Sequence, residues 1–273
     1  MRWSWAVPAL ICIFAACAAP LRAQMYPRAT PVPRTTSAPA LRAMAIQREV
    51  VERFHLGLAA EERRDWAAAA AEFERIIALD PPEPQNSTAR YDLAIAYANQ
   101  RRLDDAARLL HEAIARDPGF LAAMANLIAV DLSRGDLGDA RATADRFVAA
   151  APDSARALYD RGLVALRSGD NATAQNDFGR LLQANPAYAV AHYNLGLAQA
   201  HSNQFSSAER EFQLAVDLAP GYARARFALG TVLLREGKRA QARAAFASVA
   251  SDSASDPALR NLAVAMRDAI KSR

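Results

Sequence analysis

The chain is poor in cysteine, lysine and aromatic residues. Its 273 residues include two cysteines, Cys12 and Cys17, and only 7% of its side chains are aromatic. Both cysteines fall within the first 23 residues, so the rest of the chain can form no disulfide, thiolate metal site or cysteine nucleophile. Lysine occurs only at Lys238 and Lys271, whereas alanine, a strong helix former, is abundant. This composition argues against an all-β fold.

The basic excess of the chain is confined to its N-terminal end. Residues 1–43 contain arginines and no acidic residue, whereas residues 44–273 contain 28 basic and 29 acidic residues. A protein that binds nucleic acid needs a basic face to meet the phosphates, and residues 44–273 have no charge excess to supply one. The formal net charge of +4 therefore does not indicate a nucleic-acid partner.

Residues 1–23 have the organisation of a secretory signal peptide. A positive charge at Arg2 precedes an uncharged apolar stretch, and the small residue Ala23 stands before Gln24. This pattern predicts an exported protein that is periplasmic or otherwise associated with the cell envelope. From residue 24 to 43 the chain is rich in proline, which predicts a disordered linker.

Two alternatives for the leader stay open. The sequence Phe14-Ala15-Ala16-Cys17 resembles the bacterial lipobox, which implies lipidation of Cys17. The apolar stretch is also close to the length that spans a bilayer, so an uncleaved leader would act as a membrane anchor.

A repeat of 34 residues organises the rest of the chain. It is marked by prolines spaced 34 residues apart, at Pro118, Pro152, Pro186 and Pro220. One column in the same register is mostly glycine: Gly57, Ala94, Ile128, Gly162, Gly196 and Gly230. Another is mostly phenylalanine: Phe73, Leu110, Ala144, Phe178, Phe212 and Phe246. Each repeat has two amphipathic stretches of helical period, separated by Gly135, Gly169, Asn203 or Gly237 in four of them.

This pattern resembles the tetratricopeptide repeat, most closely at His192-Tyr193-Asn194-Leu195-Gly196 followed by Phe212 and Pro220. The resemblance implies an all-α, right-handed α-solenoid of six helix-turn-helix units between residues 44 and 254. The predicted units are 50–83, 87–120, 121–154, 155–188, 189–222 and 223–254. Residues 255–273 then form a C-terminal capping helix, with Leu259, Leu262, Met266 and Ile270 on its apolar face.

No catalytic or cofactor-binding motif accompanies the repeats. The sequence has no glycine-rich phosphate loop, no Gly-x-Ser-x-Gly elbow and no His-Glu-x-x-His helix. Its four histidines show no metal-ligand spacing. We therefore predict a protein that is not an enzyme and that has no cofactor.

The family resemblance implies that the first helix of each unit lines a concave groove. Five aromatic residues hold the same position on these helices: Phe54, Tyr91, Tyr159, Tyr193 and Phe227. Toward the C-terminus the groove is expected to be cationic, with Arg156, Arg167, His201, Arg224 and Arg235. Aromatic and arginine side chains together favour a protein or peptide partner with acidic and apolar residues. Packing within the repeats and scattered, solvated arginines are the alternative explanations.

Two functions fit these features. The first is a non-catalytic exported scaffold or adaptor that binds a protein or peptide in the groove. The alternative is an outer-membrane lipoprotein, lipidated at Cys17, that pilots the assembly of a pilus or secretion complex.

Overall fold

The computed structural model describes residues 37–270, and these residues form 13 α-helices and no β-strand. In chain order the helices are α1 Ala38–Glu62, α2 Trp66–Ala78, α3 Gln85–Asn99, α4 Leu103–Arg116, α5 Leu121–Arg134, α6 Leu137–Ala150, α7 Ala155–Ser168, α8 Asn171–Ala184, α9 Ala189–His201, α10 Phe205–Leu218, α11 Ala223–Arg235, α12 Arg239–Ser251 and α13 Pro257–Ala269. The predicted signal peptide, Cys17 and the linker up to residue 36 lie outside the described residues.

The chain divides into two compact units between residues 150 and 151. The first contains the helical hairpins α1–α2, α3–α4 and α5–α6. The second contains α7–α8, α9–α10 and α11–α12, followed by α13. Within each unit every helix packs against the next one along the chain. Tandem hairpins of this kind are the architecture of a tetratricopeptide-repeat solenoid, so the predicted fold class is confirmed.

Glycine on the first helix of a hairpin makes room for a phenylalanine on the second. A Cβ atom added to Gly57 would lie 2.6 Å from the Phe73 ring, and one added to Gly162 would lie 2.8 Å from the Phe178 ring. The same arrangement joins Gly196 to Phe212 and Gly230 to Phe246. These rings are completely or almost completely buried, so they fill the space between the paired helices. The two repeat columns are therefore explained by packing.

A residue with positive φ lies in the turn of every hairpin. Gly135, Gly169 and Gly237 have φ between 79° and 85°, and Asn203 has φ 59°, as their shared column predicted. The turns of the first two hairpins use Arg64 and Arg101, with φ 58° and 65°. Sequence reasoning missed these two because a side chain as long as arginine rarely adopts this conformation.

Helix α1 is longer than the sequence predicted. The disordered linker was expected to extend to residue 43, but α1 begins at Ala38. Pro39 lies in the first turn of α1, where a missing backbone N–H needs no partner, and the residues that follow it are good helix formers. The prediction of disorder is therefore wrong for residues 38–43.

The C-terminal helix α13 packs on α12 through a slightly different face from the one expected. Ala263 is fully buried at its centre, and Leu259, Met266 and Ile270 are partly buried around it. Leu262 was predicted on this face but is 49% exposed, because the helical period turns it away from Ala263.

None of the 13 helices in residues 37–270 is long and apolar enough to cross a membrane.

Candidate partner-binding face

The predicted aromatic column packs largely inside the hairpins. In the first unit the Phe54 ring centroid lies 6.1 Å from that of Phe73. In the second unit Phe227 lies 5.2 Å from Phe246. Phe54 and Phe227 are only 1% and 3% exposed. We therefore assign both to the core, which corrects their prediction as groove residues, because a ring held between two helices has no face left for a partner.

Tyr91 also packs against another ring in the first unit. Its ring centroid is 5.0 Å from that of Phe120, and Tyr91 is buried. Phe120 stands at the junction between α4 and α5, two residues after Pro118. The contact therefore joins the first helix of one hairpin to the segment that leads into the next.

The second unit repeats this contact twice and gathers four tyrosines. Tyr159 lies 5.8 Å from Tyr188, and Tyr193 lies 5.0 Å from Tyr222, measured between ring centroids. Asn194 Nδ2 donates a hydrogen bond to the Tyr159 hydroxyl at 3.5 Å and so links α9 to α7. We call Tyr159, Tyr188, Tyr193 and Tyr222 the tyrosine cluster.

The members of the tyrosine cluster differ in exposure. Tyr193 is buried, Tyr159 and Tyr222 are half-buried, and Tyr188 is 40% exposed. Burial raises the pKa of Tyr159 to about 12 and also raises the pKa values of the other three above the usual value. The four hydroxyls therefore stay protonated at neutral pH and can donate hydrogen bonds.

Sequence reasoning missed Tyr188 and Tyr222, although a signal for them exists. Each follows a proline of the repeat by two residues, at Pro186 and Pro220, just as Phe120 follows Pro118. The spacing of the prolines by itself indicates only the junctions between repeats. An aromatic residue recurs two positions after these prolines, and this recurrence predicts a second row of rings beside the aromatic column.

The predicted cations of the second unit divide between the two ends of their helices. Arg156 and Arg224 lie in the first turn of α7 and α11. Arg167, His201 and Arg235 lie in the last turn of α7, α9 and α11, where the helix dipole favours a positive charge. Arg156 and Arg167 are separated by about 16 Å at 1.5 Å per residue. The five side chains therefore do not form one cationic site.

Arg156 is paired with a carboxylate of its own helix. Its Nε donates a hydrogen bond to Asp160 Oδ2 at 2.6 Å. Asp160 is buried, and this burial raises the pKa of its carboxyl to about 6 even though the Arg156 charge acts in the opposite direction. Part of the Arg156 charge is thus neutralised within α7.

The described residues hold no cluster of metal-binding side chains. No group of three or more histidine, cysteine, aspartate or glutamate residues between 37 and 270 is arranged to hold a metal ion. The second unit instead presents tyrosine hydroxyls, partly exposed ring surface and guanidinium groups. These are groups that bind other molecules through stacking and hydrogen bonds.

Comparison with known proteins identifies the repeats. Two profiles, both described as tetratricopeptide repeat, match the sequence: one at residues 54–120, 159–223 and 202–258, and the other at residues 99–160. The first alone covers more than half of the chain. No curated protein sequence matches this chain.

Solved structures share the fold at low sequence identity. A tetratricopeptide repeat protein from Parabacteroides merdae is 19% identical and superimposes with a TM-score of 0.71 over 82% of this chain and 86% of its own. MamA from Desulfovibrio magneticus is 23% identical, with a TM-score of 0.57 over 60% and 92%. YrrB, described as a tetratricopeptide-repeat protein with an unusual peptide-binding site, is 17% identical, with a TM-score of 0.57 over 72% and 100%.

Proposed function

Because the chain belongs to the tetratricopeptide repeat family, we propose that it is a non-catalytic scaffold that binds a protein or peptide partner at the tyrosine cluster of its second unit. The YrrB structure supports this proposal, since it is a protein of the same fold described with a peptide-binding site. The partner is expected to lie across the first helices and the segments that join the hairpins. No catalytic residue is assigned.

The exposure of Tyr188 is the observation that carries the proposal. Packing accounts for the buried rings of the repeat column, but Tyr188 leaves 40% of its surface in solvent while it contacts Tyr159. A large side chain exposed beside other rings and protonated hydroxyls is typical of a binding anchor.

A capture experiment tests the proposal. Full-length chain with a C-terminal tag is crosslinked in cells and purified from the envelope fraction, as wild type, Tyr188→Ala and Leu214→Ala. Leu214 is a matched control because it is 43% exposed on α10 and is not a member of the cluster. We expect wild type and Leu214→Ala to capture the same protein, and Tyr188→Ala to lose it.

Direct binding of the captured protein completes the test. Truncation of a binding anchor weakens binding by about 2 kcal/mol or more, so the affinity of Tyr188→Ala should fall at least thirtyfold. Circular dichroism should show unchanged helix content. Equal affinity of wild type and a folded Tyr188→Ala would remove the tyrosine cluster from the function.

We further propose that the chain works outside the cytoplasm, in the cell envelope. The leader pattern of residues 1–23 supports export, and the Phe14-Ala15-Ala16-Cys17 sequence supports the alternative of a lipoprotein that pilots assembly of a pilus or secretion complex. The mass of the purified protein separates the two, since cleavage before Gln24 leaves no acyl chain. If Cys17 is lipidated, Cys17→Ser should release the protein from membranes.

A further inference from the structure

Arg156 and Arg224 hold equivalent positions in the second unit but have different neighbours. Each is the second residue of its helix, α7 or α11, and the two are separated by two full repeats. Four residues further on, α7 has Asp160 and α11 has Ala228. Residues four apart lie on the same face of a helix. The repeat therefore offers a direct comparison between an arginine with an acidic neighbour and one without.

The side-chain contacts follow this difference. The Arg156 guanidinium is held by Asp160 at 2.6 Å. Arg224 is half-buried, and within residues 37–270 no carboxylate lies within ion-pair distance of it. An arginine that is partly removed from water and lacks an internal anion is a strong point of attraction for an external one.

The tyrosines around Arg224 supply further hydrogen-bond donors. Burial raises the pKa values of Tyr193 and Tyr222, and in both cases the positive charge of Arg224 acts against the rise. Arg224 stands two residues after Tyr222, in the first turn of α11, and its charge acts on both hydroxyls. Their rings lie 5.0 Å apart, centroid to centroid. Arg224 offers only donors, and each protonated tyrosine hydroxyl can donate one hydrogen bond, so the arrangement suits a negatively charged acceptor.

We propose that Arg224 binds an aspartate or glutamate side chain of an extended partner segment, so that the partner supplies the carboxylate that Asp160 supplies to Arg156. The inference rests on the proposed function and narrows the partner to an acidic segment. The Arg156–Asp160 pair shows that a carboxylate fits beside an arginine at this position of the repeat. The exposed ring of Tyr188 is then available for an apolar residue of the same segment.

Peptide selection tests this proposal before the natural partner is identified. A phage-displayed library of random dodecapeptides is selected on immobilised, full-length protein. The best peptide, and a counterpart with every acidic residue replaced by its amide, are then measured by fluorescence anisotropy. The proteins compared are wild type, Tyr188→Ala, Arg224→Gln, Ala228→Asp and Arg210→Gln.

Each variant has a defined purpose. Arg224→Gln removes the charge, and Arg210→Gln removes an exposed charge from α10 as the matched control. Ala228→Asp places a carboxylate where α7 has Asp160, so that Arg224 is neutralised from within. Ala228 is buried, as Asp160 is, but the same position already accepts an aspartate in α7. Circular dichroism checks that each variant is folded.

The expected results are specific. Selected peptides should be enriched in aspartate and glutamate, and the acidic peptide should bind Arg224→Gln and Ala228→Asp at least tenfold more weakly than wild type. Arg210→Gln should change its affinity less than twofold. The amide peptide should bind wild type, Arg224→Gln and Arg210→Gln with similar affinity.

The outcomes separate this inference from the proposed function. If Tyr188→Ala abolishes binding of the selected peptides, but these are not acidic or bind Arg224→Gln as well as wild type, the inference is wrong and the proposed function stands. If no peptide is selected, or if the selected peptides bind Tyr188→Ala as tightly as wild type, the inference is wrong, and the capture experiment decides the proposed function separately. If Ala228→Asp does not fold, the comparison of peptide affinity between Arg224→Gln and Arg210→Gln still tests the inference.

Discussion

At the scale of single residues, Asp131 is a carboxylate in a position suited to apolar packing. Its side chain is completely buried in the first unit, where Arg134 Nη1 lies 3.2 Å from Oδ1. Burial raises the pKa of Asp131 to about 6. The equivalent residues of the other hairpins are uncharged: Ala60, Tyr97, Ala165, Gln199 and Leu233. Burial of this carboxylate costs free energy, so the fold accommodates Asp131 although an uncharged residue would suit the position better.

This placement predicts a pH-dependent stability. Because the folded-state pKa of Asp131 lies above its unfolded value, the folded chain holds the proton more tightly, and stability falls as pH rises through 6. We expect Asp131 to reduce the free energy of unfolding by about 1 kcal/mol more at pH 7 than at pH 5. Urea unfolding of wild type and Asp131→Asn at both pH values measures this change in the free energy of unfolding. An identical difference between the two proteins at pH 5 and pH 7 would contradict the prediction.

Residue type alone did not separate binding residues from packing residues in the aromatic column. Phe54 and Tyr159 share a repeat position and were predicted for the same role. The structure buries Phe54 against Phe73, whereas Tyr159 also meets Tyr188 and Asn194, neither of which lies in the column. The column predicts which helix face a residue occupies. It does not predict what the neighbouring hairpin places opposite that face.

At the scale of helix pairs, the surroundings of a glycine predict whether its replacement by alanine destabilises or stabilises the protein. Gly162 and Gly179 both lie inside helices, but an added Cβ would meet the Phe178 ring at 2.8 Å in the first case and nothing within 4 Å in the second. We expect Gly162→Ala to destabilise the protein by about 1 kcal/mol, since overpacking outweighs the gain in helix propensity. Gly179→Ala should stabilise it by about 0.5–1 kcal/mol.

Thermal or urea unfolding of the two variants measures the difference. Both variants replace a helical glycine by alanine and so remove the same backbone freedom from the unfolded chain. Each is therefore the control for the other. The packing explanation fails if both substitutions stabilise the protein to a similar extent.

In the third hairpin, the two residues that face each other between the paired helices must be considered together, because each one alone departs from its repeat column. Ile128 stands where four of the other five hairpins have glycine, and Ala144 stands where the same four have phenylalanine. Taken one at a time, both residues depart from the repeat. Both are buried in the structure, so the larger side chain of this pair lies on the first helix and the smaller one on the second. The repeat pattern thus predicted the fold of this hairpin without predicting its side-chain packing.

At the scale of the whole molecule, the sequence predicted the all-α repeat fold because a fixed period is visible in the order of residues alone. It did not predict that the cationic residues are separated along their helices. Arg156 and Arg167 share a helix face, but the rise of the helix places them at opposite ends of α7. The start of α1 at Ala38 differs from the prediction for another reason, because a proline-rich composition predicts a linker although a proline in the first turn can begin a helix.

The division into two compact units leads to a prediction for the complete chain. The second unit has three hairpins and the helix α13, and repeat proteins need about three repeats to form a stable core. All residues of the tyrosine cluster and Arg224 lie within it. We therefore expect a fragment of residues 151–273 to unfold cooperatively and to bind the selected peptide within about threefold of the full chain. A fragment of residues 37–150 should fold, as judged by circular dichroism, and not bind. If the 151–273 fragment folds but does not bind, residues of the first unit contribute to the site.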